Sequence, residues 1–340
     1  MSQNNMSSGS ISRPHALLPY QEFRHSSAGM KLRLTSICYA AEGTNTYEFG
    51  PLVGAALPPY EPGAHIGLHL PNGMVREYSL TRPYRAGEGY LVGIKRDVAS
   101  KGGSRYIHDN LRVGQVLDIE GLKNNFPLHA GDAPAVLVAG GIGVTPIWCM
   151  AQHLAAEGRA FELYYAARTR EEAAFLKEMR PLGGKLHLHI DAEQDGEVLD
   201  VGAIVRAAPS NAHLYCCGPL PMLEAFEKAM EGLPPERKHV EYFSSPNAPA
   251  VEGGYTVVLA RSGREVPIKA GITILETLRA LGMNVPASCE QGVCGTCETK
   301  VIQGRPDHRD ILLTPQEKAS NKTMMICCSG SLDPRLVLDL

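Results

Sequence analysis

Short runs of alternating apolar and polar residues, interrupted by glycine and proline, fill the chain from Lys31 to Glu120. Alternation of this kind is typical of half-buried β-strands, and several such strands in series predict an antiparallel barrel or sandwich. We assign this first domain to residues 27–130. Its clearest predicted strands are 31–37, 65–70, 90–94 and 116–119.

The pattern changes after residue 130, where continuous apolar runs replace the alternation. Residues 135–139 form such a run, which predicts a strand buried on both faces. A glycine turn follows it, and strands then alternate with helices, which predicts a parallel sheet in an α/β domain over 131–245. The predicted elements are helix 146–157, strand Phe161–Ala167, helix 170–180, strands Leu186–Ile190 and His213–Cys217, and helix 221–230.

Composition divides the rest of the chain. Residues 1–26 are predicted to be a flexible tail, and the Ser-, Pro- and Gly-rich segment 246–254 is predicted to be a linker. The remaining unit, 255–340, carries most of the cysteines. The length of 340 residues predicts two to three domains, and the changes of pattern along the chain indicate three.

Charge and hydropathy exclude several classes of protein. Lys and Arg number 33 against 36 Asp and Glu, so the net charge of −3 lacks the basic excess of a nucleic-acid-binding protein. No apolar run approaches 18 residues, and the polar N-terminus has no apolar segment of a secretory signal, so we expect neither a membrane span nor export. We therefore expect a cytoplasmic protein whose nine cysteines are reduced.

Five of the nine cysteines lie in the last 52 residues. Three of them have the spacing C-x4-C-x2-C and a fourth follows after 29 intervening residues, which is the plant-type 2Fe-2S arrangement. A structural zinc site would usually offer two separated C-x2-C pairs. Glycines at 292 and 295 would let the backbone wrap a cluster closely. The predicted ligands are Cys289, Cys294, Cys297 and Cys327, with Cys328 as the alternative fourth ligand.

Two turns of the middle domain are candidates for nucleotide binding. Residues 140–146 follow a buried strand and precede a helix, where glycine lets the backbone approach a pyrophosphate. The sequence departs from G-x-G-x-x-G, and a purely structural turn is the alternative. Cys217 stands at the carboxyl end of a predicted strand, where open α/β sheets bind ligands; a buried cysteine in a tight turn is the alternative. The candidates are Gly140, Gly141, Gly143, Thr145, Pro146, Cys217, Gly218 and Pro219.

The first domain has a candidate flavin site on one predicted strand. Arg76 and Tyr78 would project from one face, and Glu77 and Ser79 from the other. An arginine suits a phosphate and an aromatic ring suits stacking, although an ordinary hairpin gives the same pattern. Positive charge and a glycine loop follow downstream. The further candidates are Lys95, Gly102, Gly103 and Ser104.

The three signatures, in this order, resemble the phthalate dioxygenase reductase family of oxygenase reductases. The resemblance spans residues 30–340. The motifs that carry it are R-x-Y-S-L at 76–80, G-G-I-G-V-T-P at 140–146, C-G-P at 217–219, E-Y-F at 241–243 and the cysteine pattern. It implies a flavin-binding β-barrel like that of ferredoxin reductases, an NADH-binding α/β domain and a C-terminal α+β β-grasp ferredoxin domain. It also favours Cys327 over Cys328, because in the family a small or apolar residue and then serine follow the fourth ligand.

The resemblance implies roles for individual residues. Arg76, Tyr78 and Ser79 would hold FMN with the 102–104 loop at its phosphate, while Cys217 would lie near the nicotinamide and Phe243 near the flavin ring. We therefore predict Ser79, Cys217 and Phe243 as catalytic residues. FMN is favoured over FAD because no motif for an adenine half is evident at 123–126. Arg168 or Arg170 could contact a 2′-phosphate, which leaves NADPH open beside NADH.

The resemblance also implies a function. NADH delivers two electrons together and a 2Fe-2S cluster accepts one, so a flavin between them matches the two. We expect a monomeric reductase that passes electrons from NADH through FMN and the cluster to a Rieske-type oxygenase or demethylase of aromatic acids. The alternatives are a general flavin reductase for a ferredoxin-like or haem acceptor, and a redox sensor without turnover.

Overall fold

The computed structural model describes residues 29–54, 56–97 and 102–340, and the predicted tail at 1–26 lies outside them. Its first unit is a six-stranded antiparallel sheet with the strand order β4-β3-β6-β1-β2-β5. A bridge between Leu80 and Val92 joins its two edges, so the sheet closes into the predicted barrel. The elements are β1 Met30–Ala41, β2 Thr44–Pro51, β3 His65–His69, β4 Val75–Ser79, β5 Tyr90–Lys95, α1 Gly103–Asn110 and β6 Val116–Lys123.

The second unit is a five-stranded parallel sheet with the order β11-β10-β7-β8-β9, as the alternation of strands and helices predicted. Its central strand, β7, is buried at every position, which explains the continuous apolar run in the sequence. The elements are β7 Ala135–Gly140, α2 Val144–Ala156, β8 Phe161–Ala167, α3 Leu176–Met179, β9 Leu186–Ile190, α4 Val201–Ala207, β10 His213–Cys217, α5 Leu220–Ala229 and β11 Lys238–Glu241.

One predicted element of this unit is wrong. The sequence predicted a helix over 170–180, but only Leu176–Met179 is α-helical, and a 3₁₀ segment follows it. Phe175 interrupts the expected helix with φ 64°, and it is buried together with Ala173 and Ala174. Burial of this apolar segment in the core therefore overrides the local preference for a helix.

The third unit is a mixed five-stranded sheet, β13-β12-β18-β14-β16, with a separate two-stranded sheet, β15-β17. β12 and β18 are parallel neighbours at its centre. The remaining helices both begin with capping boxes, at Thr273 and Thr314. The elements are β12 Tyr255–Leu259, β13 Glu265–Ile268, α6 Ile274–Ala280, β14 Glu298–Gln303, β15 Pro306–Asp307, α7 Pro315–Ser320, β16 Thr323–Met325, β17 Gly330–Ser331 and β18 Arg335–Leu338.

Polar contacts join the barrel to the second unit. Lys95 at the end of β5 forms an ion pair of 2.6 Å with Glu172. Nε2 of Gln152 donates a hydrogen bond of 2.8 Å to the carbonyl oxygen of Thr81. These contacts place the end of β4 next to the carboxyl ends of the parallel strands, where the predicted site residues lie.

Within the residues that the structure describes, no helix is both long enough and apolar enough to cross a membrane.

Candidate functional site

A single cavity of about 1470 Å³ is lined by all three units. Strand β4, the start of α1, the glycine turn after β7 and the loop of the first predicted cluster ligand all contribute to it. The predicted site residues in its lining are Arg76, Glu77, Tyr78, Ser79, Lys95, Gly103, Ser104, Gly140, Gly141, Gly143, Thr145, Gly218, Pro219, Phe243 and Cys289. Those outside its lining are Gly102, Pro146, Cys217, Cys294, Cys297 and Cys327.

Arg76 packs against the first residue of α1. A Cβ added to Gly103 would lie 2.6 Å from Cγ of Arg76, so a larger residue here would displace the Arg76 side chain. Gly102 precedes the helix with φ 91°, a conformation that glycine adopts without strain. The helix N-terminus and a guanidinium thus meet at one edge of the cavity, and both attract anions. These residues fit a phosphate group.

Lys95 faces the same cavity from β5. Its Nζ lies 2.6 Å from Oε2 of Glu172, so the lysine charge is already matched by a carboxylate of the second unit. Ser104 of α1 accepts a hydrogen bond of 3.1 Å from the backbone N–H of Asp97. Both side chains therefore also help to hold the cavity wall together.

The two turns of the second unit pack against each other. A Cβ at Gly143 would lie 2.3 Å from the carbonyl oxygen of Cys217, and one at Gly140 would lie 2.6 Å from Cδ of Pro219. Gly141, with φ 52°, would have nothing within 4 Å of such an atom. β7 and β10 are neighbours in the sheet, so both turns stand at the carboxyl ends of adjacent strands. That edge is where open α/β sheets bind nucleotides.

A carboxyl group that sequence reasoning did not select lies between the predicted catalytic residues. Oε2 of Glu241 is 3.5 Å from Oγ of Ser79 and 4.0 Å from Sγ of Cys217. Burial raises the pKa of Glu241 to about 8, so its carboxyl is largely protonated at neutral pH. Glu241 is the first residue of the 241–243 motif, but the motif does not reveal its contact with Ser79.

Cys217 is fully buried beneath the cavity. Burial, with Glu241 and Cys216 beside it, raises the pKa of the Cys217 thiol well above its ordinary value. The side chain is therefore a neutral thiol rather than a nucleophilic thiolate. Phe243 lies further along the cavity wall and is 41% exposed, which leaves its ring free to contact a ligand.

The four predicted cluster ligands come from two segments, three from the loop 289–297 and Cys327 from the turn after β16. The thiol of Cys289 is within hydrogen-bond reach of Cys294 and of Cys327, and Cys327 also reaches Cys297. Contact with neighbouring thiols and burial raise the pKa values of Cys294 and Cys297. Bound iron would favour the thiolates, and the backbone N–H of Gln291, 3.3 Å from Sγ of Cys289, is placed to donate to a ligand sulfur. The donor set fits a 2Fe-2S cluster.

Cys328 has a different environment. Its Sγ lies 3.7 Å from the carbonyl oxygen of Met325, and a Cβ at Gly292 would come within 2.5 Å of that sulfur. Gly292, at φ 72°, thus makes room for Cys328 under the loop. Cys328 contacts the thiol of Cys327, whereas Cys327 also contacts those of Cys289 and Cys297, which supports Cys327 as the fourth ligand.

Comparison with known proteins identifies two of the three units. Residues 257–330 match the 2Fe-2S iron-sulfur cluster binding domain family, and residues 137–228 match the oxidoreductase NAD-binding domain family. The chain is 49% identical to the phenoxybenzoate dioxygenase subunit beta of Ectopseudomonas oleovorans, over 92% of this chain and 98% of that protein. It is 47% identical to the tetrachlorobenzoquinone reductase of Sphingobium chlorophenolicum, over 91% and 97% respectively.

Solved structures extend the similarity to the whole fold. Phthalate dioxygenase reductase, described as a modular structure for electron transfer from pyridine nucleotides to [2Fe-2S], is 35% identical with a TM-score of 0.74, over 92% of this chain and 98% of that one. An intact type IV self-sufficient cytochrome P450 monooxygenase is also 35% identical with a TM-score of 0.76, but the chain spans only 41% of its length.

The barrel, the nucleotide-binding sheet and the 2Fe-2S unit around one cavity define a three-domain oxidoreductase that carries electrons between cofactors. The chain belongs to the phthalate dioxygenase reductase family. The predicted fold class, the NADH-dependent oxidoreductase activity and the cofactors FMN, NADH and 2Fe-2S are thereby confirmed at the level of the family.

Proposed function

We propose that this chain is the reductase component of an oxygenase system, moving electrons from NADH through FMN and a 2Fe-2S cluster to a terminal oxygenase. The observation that carries the proposal is the shared cavity, which brings the barrel strand β4, both nucleotide turns and the loop of Cys289 to one space. NADH supplies two electrons as a hydride, the flavin takes them together and releases them singly, and the cluster passes them on one at a time.

In this proposal the barrel holds FMN. Arg76 and the backbone N–H groups of 102–104 bind the phosphate, because the glycine at 103 keeps the guanidinium close to the helix N-terminus. Tyr78 and Ser79 bind the ring from the end of β4, next to the cavity. Glu77 and Lys95 complete this set through their places in the cavity wall.

The second unit binds NADH. The turn 140–146 receives the pyrophosphate, with the open face of Gly141 toward the ligand. Gly218 and Pro219 line the nicotinamide end, with Cys217 buried beneath them, and Phe243 shields the flavin side of the cavity. The Ser79 hydroxyl donates a hydrogen bond to Oε2 of Glu241, and the raised pKa of Glu241 keeps its carboxyl largely protonated, so it adds little negative charge beside Ser79.

A preference for NADH over NADPH is part of the proposal. Arg170 is engaged by Glu193 through bonds of 2.8 and 2.7 Å, so its charge is matched within the chain. Arg168 lines the cavity, but Asp191 and Glu172 line it as well. Glu172 is paired with Lys95, so the Asp191 carboxylate is the group that would repel a 2′-phosphate near that edge.

The cluster is held by Cys289, Cys294, Cys297 and Cys327, and the acceptor is a Rieske-type oxygenase acting on an aromatic acid. The relative named a dioxygenase subunit, at 49% identity, supports an oxygenase as the acceptor. We further propose that the chain works as a monomer in the cytoplasm. The absence of any disulfide among its nine cysteines agrees with a reducing compartment.

Anaerobic addition of NADH to the purified protein tests the proposal. Flavin and iron–sulfur absorbance should both bleach, and heat-released flavin should co-migrate with FMN rather than FAD. An equal amount of NADPH should bleach them far more slowly. If NADH bleaches neither chromophore, the proposed function is wrong.

A haem acceptor is a second candidate, favoured by one observation. The cytochrome P450 monooxygenase that matches this chain contains a related segment within a much longer protein. Two parallel reactions separate these candidates: the reduced protein is mixed with a Rieske oxygenase in one and with a cytochrome P450 in the other. Faster oxidation of the cluster by the Rieske protein is expected.

A further inference from the structure

A lysine of the barrel reaches the loop that carries the predicted cluster ligands. Lys123 is the last residue of β6, and its Nζ donates a hydrogen bond of 2.8 Å to Oγ1 of Thr296. Thr296 stands between two predicted ligands, and its Oγ1 accepts a hydrogen bond of 3.5 Å from Sγ of Cys294. The ammonium group is therefore only one side chain away from a ligand sulfur.

Two carboxylates of the barrel hold the ammonium in this place. Nζ of Lys123 lies 3.1 Å from Oε1 of Glu77 and 3.5 Å from Oε2 of Glu120. Burial acts to lower the pKa of Lys123, but the two carboxylates outweigh it, so the pKa is raised and the lysine remains charged. Its side chain is 27% exposed and that of Glu77 is 12% exposed, so water screens this group less than it screens a surface pair.

The same loop is contacted by a second cation of the barrel. Nη1 of Arg76 lies 3.4 Å from the carbonyl oxygen of Ser288 and 4.0 Å from Oε1 of Glu290. Arg76 thus contacts one end of the loop 288–297, here called the cluster loop, and Lys123 contacts the other end. Arg76 already has a role in the proposed FMN site, whereas Lys123 has none.

We propose that Lys123 is a positioning residue that fixes the cluster loop on the barrel and, through its charge, favours the reduced form of the cluster. The inference rests on the proposed function, because the electron that reduces the cluster comes from NADH by way of FMN. Reduction adds one negative charge to the cluster, and a nearby positive charge in a partly desolvated site stabilises it. The expected consequence is a more positive reduction potential than the same site, with Glu77 and Glu120 present, would have without the lysine.

A purely structural role makes a different prediction. If Lys123 only neutralises Glu77 and Glu120, its loss changes stability but leaves the cluster potential unchanged. The potential and the mobility of the loop are therefore the measurements that separate the two roles. An arginine at the same position keeps the charge and serves as the conservative variant.

The test uses the cofactor-loaded protein and five forms of it. They are the wild type, Lys123→Met, Lys123→Arg, Thr296→Val and, as a matched control, Lys31→Met. Lys31 pairs with Asp118 on the exposed surface of the same barrel, at 2.7 Å, so its loss removes the same charge far from the loop. A redox titration followed by electron paramagnetic resonance gives the potential, and amide hydrogen exchange of 288–297 gives the mobility of the loop.

Lys123→Met should shift the potential to a more negative value and speed amide exchange in the loop. Lys123→Arg should stay close to the wild type in potential. Thr296→Val should speed amide exchange in the loop but shift the potential less than Lys123→Met does, because the charge of Lys123 remains. Lys31→Met should match the wild type in both measurements.

The inference is overturned if Lys123→Met changes neither quantity, or if Lys31→Met shifts the potential equally. If Lys123→Met does not fold, Thr296→Val decides: unchanged exchange in the loop overturns the inference, and faster exchange upholds it. Failure of the proposed function gives a different result, because NADH would then reduce no cluster in the wild type. The inference would fail together with the proposed function in that case.

Discussion

Glu241 shows how one buried carboxyl can make the stability of the protein depend on pH. Its pKa rises from 4.5 to about 8 because burial disfavours the ionised form. The folded protein therefore holds a proton here that the unfolded chain releases above about pH 4.5. The stabilisation is complete below pH 4.5 and is lost as pH rises through about 8.

We therefore expect Glu241→Gln to remove part of the pH dependence of stability. Between about pH 5 and about pH 8, the Tm of the wild type should fall more steeply than that of the variant, since glutamine has no proton to lose. Thermal unfolding followed by circular dichroism measures this, with Glu224→Gln on the exposed face of α5 as the control. Parallel Tm curves for wild type and Glu241→Gln would contradict the raised pKa.

Arg76→Ala should weaken the binding of FMN. A charge-assisted hydrogen bond contributes about 1.5–3 kcal/mol, so the Kd for FMN should rise roughly 10- to 150-fold. Fluorescence titration of the flavin-free protein with FMN gives the Kd. Arg33→Ala is the matched control, because Arg33 lies on β1 of the same barrel and its guanidinium bonds only the carbonyl oxygen of Gly114 among the contacts described. Unchanged affinity in Arg76→Ala would remove Arg76 from the phosphate site.

Single residues differ in how well the sequence revealed them. The cysteine ligands could be predicted because their spacing along the chain carries the chemistry. The roles of Glu241 and Lys123 could not be predicted, because they depend on contacts with residues that are distant in the sequence. Glu241 meets Ser79 across 162 positions, and Lys123 meets Thr296 across 173. No local pattern encodes such pairs.

At the scale of elements, the glycine turn after β7 depends on the turn after β10. Gly143→Ala would place a Cβ 2.3 Å from the carbonyl oxygen of Cys217, which is backbone and cannot move aside cheaply. We expect a loss of about 1–3 kcal/mol in stability and a raised KM for NADH, because both turns must shift. Steady-state kinetics and Tm measurements check this.

Gly184→Ala provides the control for that substitution. Gly184 lies in the same unit, and a Cβ there would have no atom within 4 Å. Its KM for NADH should equal that of the wild type. If Gly143→Ala also left the KM unchanged, the packing of the two turns would not position NADH.

The elements themselves were largely predictable, and the exception has a physical reason. The predicted bounds of β8, β9 and β10 are those of the structure, since each is a run of five to seven residues bounded by turns, a length typical of strands and short for helices. The helix predicted over 170–180 failed because Phe175 turns into the core, where a Cβ at Gly93 of the barrel would come within 3.2 Å of its ring. The contact that decides the conformation therefore lies in another domain.

At the scale of the whole molecule, function depends on how three units meet. The sequence predicted each unit and its cofactor chemistry, but it could not predict that β4, the glycine turn and the cluster loop face one cavity. That convergence comes from side chains such as Lys95, Gln152 and Lys123, each of which bonds a neighbouring unit. The proposed order of electron transfer agrees with it, because the barrel contacts the second unit through Lys95 and the cluster loop through Lys123.

Replacement of a cluster ligand tests that order most directly. Cys294→Ser should remove cluster-dependent reduction of the oxygenase, while NADH still bleaches the flavin and the protein still reduces a small dye at close to the wild-type rate. Stopped-flow spectroscopy of both chromophores, with dye reduction measured beside it, gives the comparison. Equal loss of dye and oxygenase reduction, or full oxygenase reduction without the cluster, would contradict the path from NADH through FMN to the cluster.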